Sequence, residues 1–204
     1  MLALCSNGLT SEAILSALPP QIAPGQTAAL VVTADNVYRE RNYHVPRCLD
    51  ELTGLGLTVN VRDIDTDPCA ELERFDVVEF IGGNPFYLLS ALRRVKAGAV
   101  LRHLAERKLL IGWSAAAFAF GPTLELVNAY SPEMNEVGLK DLTALGLTEV
   151  QVLPHYERFL TRFDRFEETC AAYEAARGVR VVRLNDGDAV LVEGSRVDIV
   201  RSRS

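Results

Sequence analysis

Short, wholly apolar runs separated by stretches of helical character constrain this chain most. Ala28-Ala29-Leu30-Val31-Val32 and Leu109-Leu110-Ile111 do not alternate apolar with polar residues. Runs of this kind are strands buried on both faces, which requires a parallel sheet with helices on either side. Leu2 to Cys5 reads the same way, Phe75 to Ile81 is a further strand, and Leu57 to Val61 alternates and belongs nearer a sheet edge. Between the runs lie helix patterns. Ser11 or Thr10 caps one that Pro19-Pro20 ends, Pro46 opens a second, and Pro85 opens a third through Leu92. A fourth covers Val100 to Arg107. Alternating strands and helices define an α/β class with a mainly parallel sheet flanked by helices.

The last third reads differently. Thr123 to Asn128 is expected to be extended, with a loop from Tyr130 to Asp141. A strand over Glu149–Leu153 leads to a helix over Arg162–Arg177, capped by Thr161, with Cys170, Tyr173 and Ala176 facing inward. Val179–Leu184 and Ala189–Val192 are strands, with Asn185-Asp186-Gly187 as a hairpin turn between them. Gly194-Ser195 makes a second turn, so a small antiparallel hairpin closes the chain, and Arg201 to Ser204 is a tail that frays.

With 204 residues the chain fits one domain, 1–204. A net charge of -6 without any Lys/Arg block gives no reason to expect a nucleic-acid partner. No apolar run reaches membrane-spanning length, and the N-terminus lacks a basic leader, so the expectation is a cytoplasmic protein off the membrane. Four scattered cysteines argue against a disulfide framework or zinc site.

The chemistry concentrates where Leu109-Leu110-Ile111-Gly112-Trp113 meets Ser114 and then Ala115-Ala116-Ala117. A strand turning sharply into a helix at a serine presents the hydroxyl at the end of the sheet, which makes Ser114 a candidate nucleophile. Of three histidines, His103 lies in a charged helix face and His44 in a polar stretch with nothing to position it. His155, behind Pro154 at the end of an apolar strand, is the candidate general base. A base of this kind needs an acid on its other nitrogen. Glu125, Glu133, Glu136 and Asp141 lie between serine and histidine, and Glu133, stiffened by Pro132, is preferred narrowly over Glu136. Gly82-Gly83 after the fourth strand exposes backbone N–H groups, so Gly83 and Ala115 are candidate oxyanion donors. No phosphate-loop pattern is present.

In this order the motifs Leu4-Cys5-Ser6-Asn7, Gly82-Gly83-Asn84-Pro85-Phe86, Ile111-Gly112-Trp113-Ser114-Ala115 and Leu153-Pro154-His155-Tyr156 resemble the peptidase E family of aspartyl dipeptidases, which takes in cyanophycinase-like enzymes. The resemblance covers nearly the whole chain. It implies a class I glutamine amidotransferase-like, flavodoxin-like fold and hydrolysis of dipeptides with an N-terminal aspartate. It implies Ser114 as nucleophile, His155 as base, Gly83 and Ala115 as oxyanion donors, Asn84 in the substrate pocket, and neither metal nor organic cofactor. Two positions depart from the family pattern. Ala116 replaces its second glycine, and Ala129, Tyr130 and Ser131 stand where an acid is expected. Counted back from the histidine, the acid falls near Glu133, giving a Ser-His-Glu triad. Asn84, Arg162 and Arg165 are candidates for recognising an aspartyl side chain. A cyanophycinase-like or other acyl hydrolase, and a non-catalytic binding module, are the alternatives. A homodimer stays open as the oligomeric state.

Overall fold

A computed structural model describes residues 1–19 and 22–202. Its centre is a seven-stranded sheet. The strands are β1 (Leu2–Cys5), β2 (Thr27–Val31), β3 (Thr58–Arg62), β4 (Val77–Phe80), β5 (Leu109–Trp113), β8 (Ala189–Glu193) and β9 (Arg196–Val200). They lie in the order β3-β2-β4-β5-β1-β8-β9. From β3 to β1 all neighbours are parallel; β8 runs antiparallel to β1 and forms a hairpin with β9. The alternating run that became β3 is indeed at an edge.

Both faces of the sheet are covered, as its apolar strands demand. On one face α1 (Glu12–Ala17) and α2 (Val45–Gly54) bury Ile14, Cys48 and Leu52 against Ala28, Leu30 and Ile111. On the other, α3 (Pro85–Arg94), α4 (Gly98–Arg107) and α5 (Ala115–Phe120) bury Leu88, Leu92, Leu101, Leu104 and Phe120 against Leu4, Val31 and Leu110. Ser11 caps α1 by accepting the Ile14 N–H at 3.2 Å. Pro20, expected to help end that helix, lies outside the described residues. No helix among the described residues is long and apolar enough to cross a membrane.

The last third departs from expectation. Thr123–Asn128 is not extended: Thr123 Oγ1 accepts the Glu125 N–H at 3.1 Å and α6 (Glu125–Tyr130) follows, burying Leu126 and Val127. The single helix expected over Arg162–Arg177 is two. These are α7 (Tyr156–Arg162), which contains Thr161 instead of being capped by it, and α8 (Phe166–Arg177), separated by a break at which Arg165 adopts φ 50°. Cys170 is buried, Tyr173 half-buried and Ala176 exposed. The break turns Phe159, Phe163 and Phe166 toward one another and toward Tyr130, with ring centroids 5.0–5.8 Å apart.

Nor is Asn185-Asp186-Gly187 a hairpin turn. The strand before it, β7 (Val181–Arg183), pairs in parallel with β6 (Gln151–Leu153) in a separate two-stranded sheet. The segment therefore crosses from the small sheet to the large one. Arg201 and Ser202, expected to fray, are tied to Asp188: the Arg201 guanidinium donates at 2.7 Å and the Ser202 N–H at 2.9 Å.

Candidate active site

The carboxyl ends of β4, β5 and β6 bring Gly82, Gly83, Pro85, Ser114, Ala115 and His155 to one cavity of about 280 Å³. That is near the small end for ligand pockets. Its apolar wall comes from Trp113, Phe118, Tyr130, Phe159 and Phe163, and its cations are Arg158 and Arg162.

Ser114 occupies φ 52°, ψ −111°. A serine in this region is strained, and surrounding packing must hold it there. The Ser114 N–H donates to the Cys5 carbonyl at 3.2 Å, fixing the turn to the end of β1. Behind it, Gly112 has no room for a side chain: a Cβ would stand 2.6 Å from the Phe120 ring. Ala116, in place of a family glycine, fits because α5 has already begun; it is fully buried in ordinary helix. Among the described residues the Ser114 hydroxyl makes no hydrogen bond, and it opens into the cavity.

His155 sits in the left-handed region, φ 57°, ψ 30°, at the start of α7. Its side chain is nearly buried, and Nδ1 lies 2.6 Å from Asp186 Oδ1. Arg158 approaches the same nitrogen at 3.4 Å, but an arginine can only donate. The short contact therefore assigns the Nδ1 proton to Asp186, while Arg158 donates to Asp186 Oδ2 at 3.2 Å. This leaves Nε2 as the ring nitrogen free to accept a proton. Burial pushes the Asp186 carboxyl up, but hydrogen bonds from His155, Ser6 and Arg158 and the His155 charge outweigh it and hold it down at about 2. Ser6 joins the parts. Its buried hydroxyl accepts the His155 N–H at 2.8 Å and donates to Asp186 Oδ1 at 3.0 Å.

The acid on His155 is thus Asp186, not Glu133. Glu133 is exposed in a 3₁₀ turn over Pro132–Met134, and its carboxylate accepts a hydrogen bond from Ser131. That bond, its own backbone N–H and the charge of Arg162 hold it below the usual carboxylate range. Glu136 is exposed as well. Asn-Asp-Gly reads as a turn from sequence, and only the pairing of β7 with β6 carries Asp186 to the histidine.

Gly83 lines the cavity at φ 151°, and a Cβ there would stand 2.3 Å from the Ala34 carbonyl oxygen. Ala115 lines it too. Among the described residues neither backbone N–H donates to another backbone group. Asn84 is different. It caps α3, its Oδ1 accepting the Phe86 and Tyr87 N–H groups at 2.9 and 3.0 Å, while Nδ2 donates to the Met134 carbonyl at 2.8 Å. It is not among the cavity residues. An asparagine directly before a helix-opening proline is itself a capping signal. Of the two arginines expected to meet an aspartyl side chain, Arg162 lines the cavity with its guanidinium 5.3 Å from the centre of the Phe163 ring. Arg165 instead pairs with Glu168 outside it. His44, which nothing in the sequence positioned, forms part of the wall and meets Trp113 edge-on at 5.2 Å. Burial, then the charges of Arg47, His155 and Arg158, push its pKa down.

Residues 2–200 match the model of peptidase family S51. An uncharacterized peptidase of Listeria monocytogenes is 29% identical over 178 residues, covering 85% of each chain. A peptidase E of Escherichia coli is 28% identical over 203 residues, covering 94% of this chain and 86% of the relative. Among solved structures, a candidate peptidase E protein from Listeria monocytogenes superposes with a TM-score of 0.79 at 26% identity, over 99% of this chain and 98% of the other.

Proposed function

Because the chain belongs to peptidase family S51, we propose that it is a serine dipeptidase cleaving Asp-Xaa substrates through Ser114, His155 and Asp186. The observation that carries this reading is the 2.6 Å contact between His155 Nδ1 and Asp186, at a cavity shared with a serine on a strained turn. His155 Nε2 takes the Ser114 proton as Oγ attacks the peptide carbonyl. The tetrahedral oxyanion is held by the Gly83 and Ala115 N–H groups. The C–N bond then breaks, His155 returns its proton to the leaving amine, and water releases the acyl group by the same path. Asp186 fixes the tautomer and stabilises the imidazolium.

Arg162 supports the choice of an aspartyl side chain: a guanidinium on the cavity wall pairs well with a carboxylate. Arg158 is already bound to Asp186 and is the weaker candidate. The cavity's volume suits a small peptide and not a folded protein. The test is hydrolysis of a dipeptide panel containing Asp-Xaa, Glu-Xaa, Ala-Xaa and β-linked aspartyl peptides. Preference for α-linked Asp-Xaa, lost in Ser114→Ala, is expected. Turnover of the β-linked peptides alone would assign a cyanophycinase-like activity instead. Full activity of Ser114→Ala would refute the mechanism.

A further inference from the structure

Glu79 is a carboxyl group in the wrong place for an ordinary glutamate. It lies on β4 in the middle of the large sheet, fully buried, and neither of its oxygens has a hydrogen-bond partner among the described residues. Its neighbours on that face are apolar: Val77 and Ile81 along β4, and Ile111, its register partner on β5. Helix α2 lies over it and contributes Cys48 and Glu51, whose Sγ and a carboxylate oxygen come within 4.8 Å of a Glu79 oxygen and of each other. Trp113 stands on the same face of β5, two residues beyond Ile111. Its indole N–H is also buried without a regular hydrogen bond, yet it is close enough to Glu79 and Cys48 to bias both toward their charged forms.

The groups around Glu79 decide its state. The nearby cation is Arg47, and it is committed to the Glu51 carboxylate at 2.6 Å and the Asn7 carbonyl at 2.8 Å. Glu51 also accepts the Leu9 N–H. Burial pushes Cys5 on β1 and Cys48 on α2 far up, so both stay thiols. A second carboxylate beside Glu51 would be buried, unpaired and repelled. Burial first, then the Glu51 charge, raise Glu79 to about 8. At neutral pH it is an acid with one O–H to donate and oxygens left to accept. Glu51 and the Cys48 sulfur are acceptors within reach, and the indole N–H is the donor.

Trp113 immediately precedes Ser114, and its ring forms cavity wall. It is clamped elsewhere as well: a Cβ on Gly82 would stand 2.5 Å from it, and the Arg47 guanidinium lies 5.3 Å from the ring centre. We propose that the buried Glu79 carboxyl is a positioning residue for the Ser114 turn, bearing on the Trp113 indole from beneath. Ionisation would place an anion beside Glu51, draw Arg47 away from it and pull the indole N–H inward, displacing the ring that abuts Ser114. The consequence for catalysis rests on the assignment of Ser114 above; the state of Glu79 does not.

The chain has one tryptophan, so Trp113 reports on its own surroundings. Tryptophan emission is followed from pH 6 to 9.5 in the wild-type protein, Glu79→Gln and Glu51→Gln. The wild type is expected to show a transition centred near pH 8. Glu79→Gln should lack it, keep kcat on the preferred dipeptide within about threefold at pH 7, and lose the matching alkaline fall in kcat. Glu51→Gln should keep the transition with its midpoint moved down, since a repelling charge is gone. A wild-type trace flat over this range, or the same transition in Glu79→Gln, overturns the proposal. Should Glu79→Gln fail to fold, infrared spectra of the wild type decide. A protonated-carboxyl band at pH 7 that vanishes in the same titration supports it, and no such band at pH 7 overturns it. A protein inactive on every dipeptide but showing the fluorescence transition would refute the dipeptidase reading and leave the Glu79 assignment standing.

Discussion

Replacing Asp186 with asparagine keeps the shape of the site and removes the charge behind His155. The carboxyl is held down from its ordinary 3.8 to about 2. A shift of that size corresponds to about 2 kcal/mol. The Asp186 side chain is 34% exposed, so solvent screening reduces this to about 1 kcal/mol of net pairing. A second loss comes from hydrogen-bond polarity. Arg158 donates to Oδ2, while His155 Nδ1 and Ser6 Oγ meet Oδ1. An asparagine that keeps its carbonyl toward Arg158 turns its NH₂ toward His155. That NH₂ then favours the tautomer with the proton on Nε2, where the base needs a lone pair. The flipped amide sets NH₂ against the guanidinium. Charge loss alone gives about fivefold, and a wrong tautomer in a fully buried triad costs about 10⁴-fold. Asp186→Asn should therefore lower kcat/KM on an Asp-Xaa dipeptide by roughly 10²- to 10⁴-fold, measured by release of the second amino acid. Glu133→Gln, made in parallel, should stay within about twofold. A loss under tenfold for Asp186→Asn together with a large loss for Glu133→Gln would refute the reasoning.

Acid stability follows from the same carboxylate. Its pKa is depressed in the fold, so the stabilisation it adds is present above the ordinary carboxylate range and is lost as pH falls from about 4 toward 2; Tm measured across that window should fall less steeply in Asp186→Asn than in the wild type. Arg162→Ala should lower kcat/KM for Asp-Xaa by about 10- to 100-fold, the scale of one hydrogen bond to a charged group, and leave residual Ala-Xaa turnover unchanged. Equal losses on both substrates would remove Arg162 from specificity. Asn84→Ala removes a helix cap and should cost about 1 kcal/mol, or 2–4 °C in Tm, with KM unaltered; a KM effect without a Tm effect would restore Asn84 to the substrate pocket. Gly112→Ala drives a methyl into Phe120 and should destabilise by roughly 1–3 kcal/mol, read by denaturant unfolding.

The sheet was legible because strands buried on two faces must be continuously apolar, as Ala28–Val32 and Leu109–Ile111 are. Ser114 and His155 were legible for a related reason: each follows such a run directly, and the ends of neighbouring strands share one rim. Asp186 was not. Its local signal, Asn-Asp-Gly between two apolar runs, has the residue types of a tight hairpin, and nothing local says that the flanking strands belong to different sheets. The division between α7 and α8 was equally hidden, since the left-handed residue at the break is Arg165 and not a glycine. Glu79 carried a faint signal, an acid between Val78 and Phe80 inside an otherwise apolar strand, and its significance appears only once α2 is laid over it.

The two sheets supply different halves of the reactive assembly. Ser114 ends a strand of the large sheet, His155 follows a strand of the small one, and Asp186 lies on the segment crossing between them. Ser6, at the tip of β1, is the bolt through both. On the proposed mechanism, turnover requires two substructures to be docked in register, and neither is competent alone. Mild denaturant that loosens the small sheet with α7 and α8 should abolish hydrolysis while the large sheet still stands, so activity in this molecule reads out the closing of a seam before it reads out the fold.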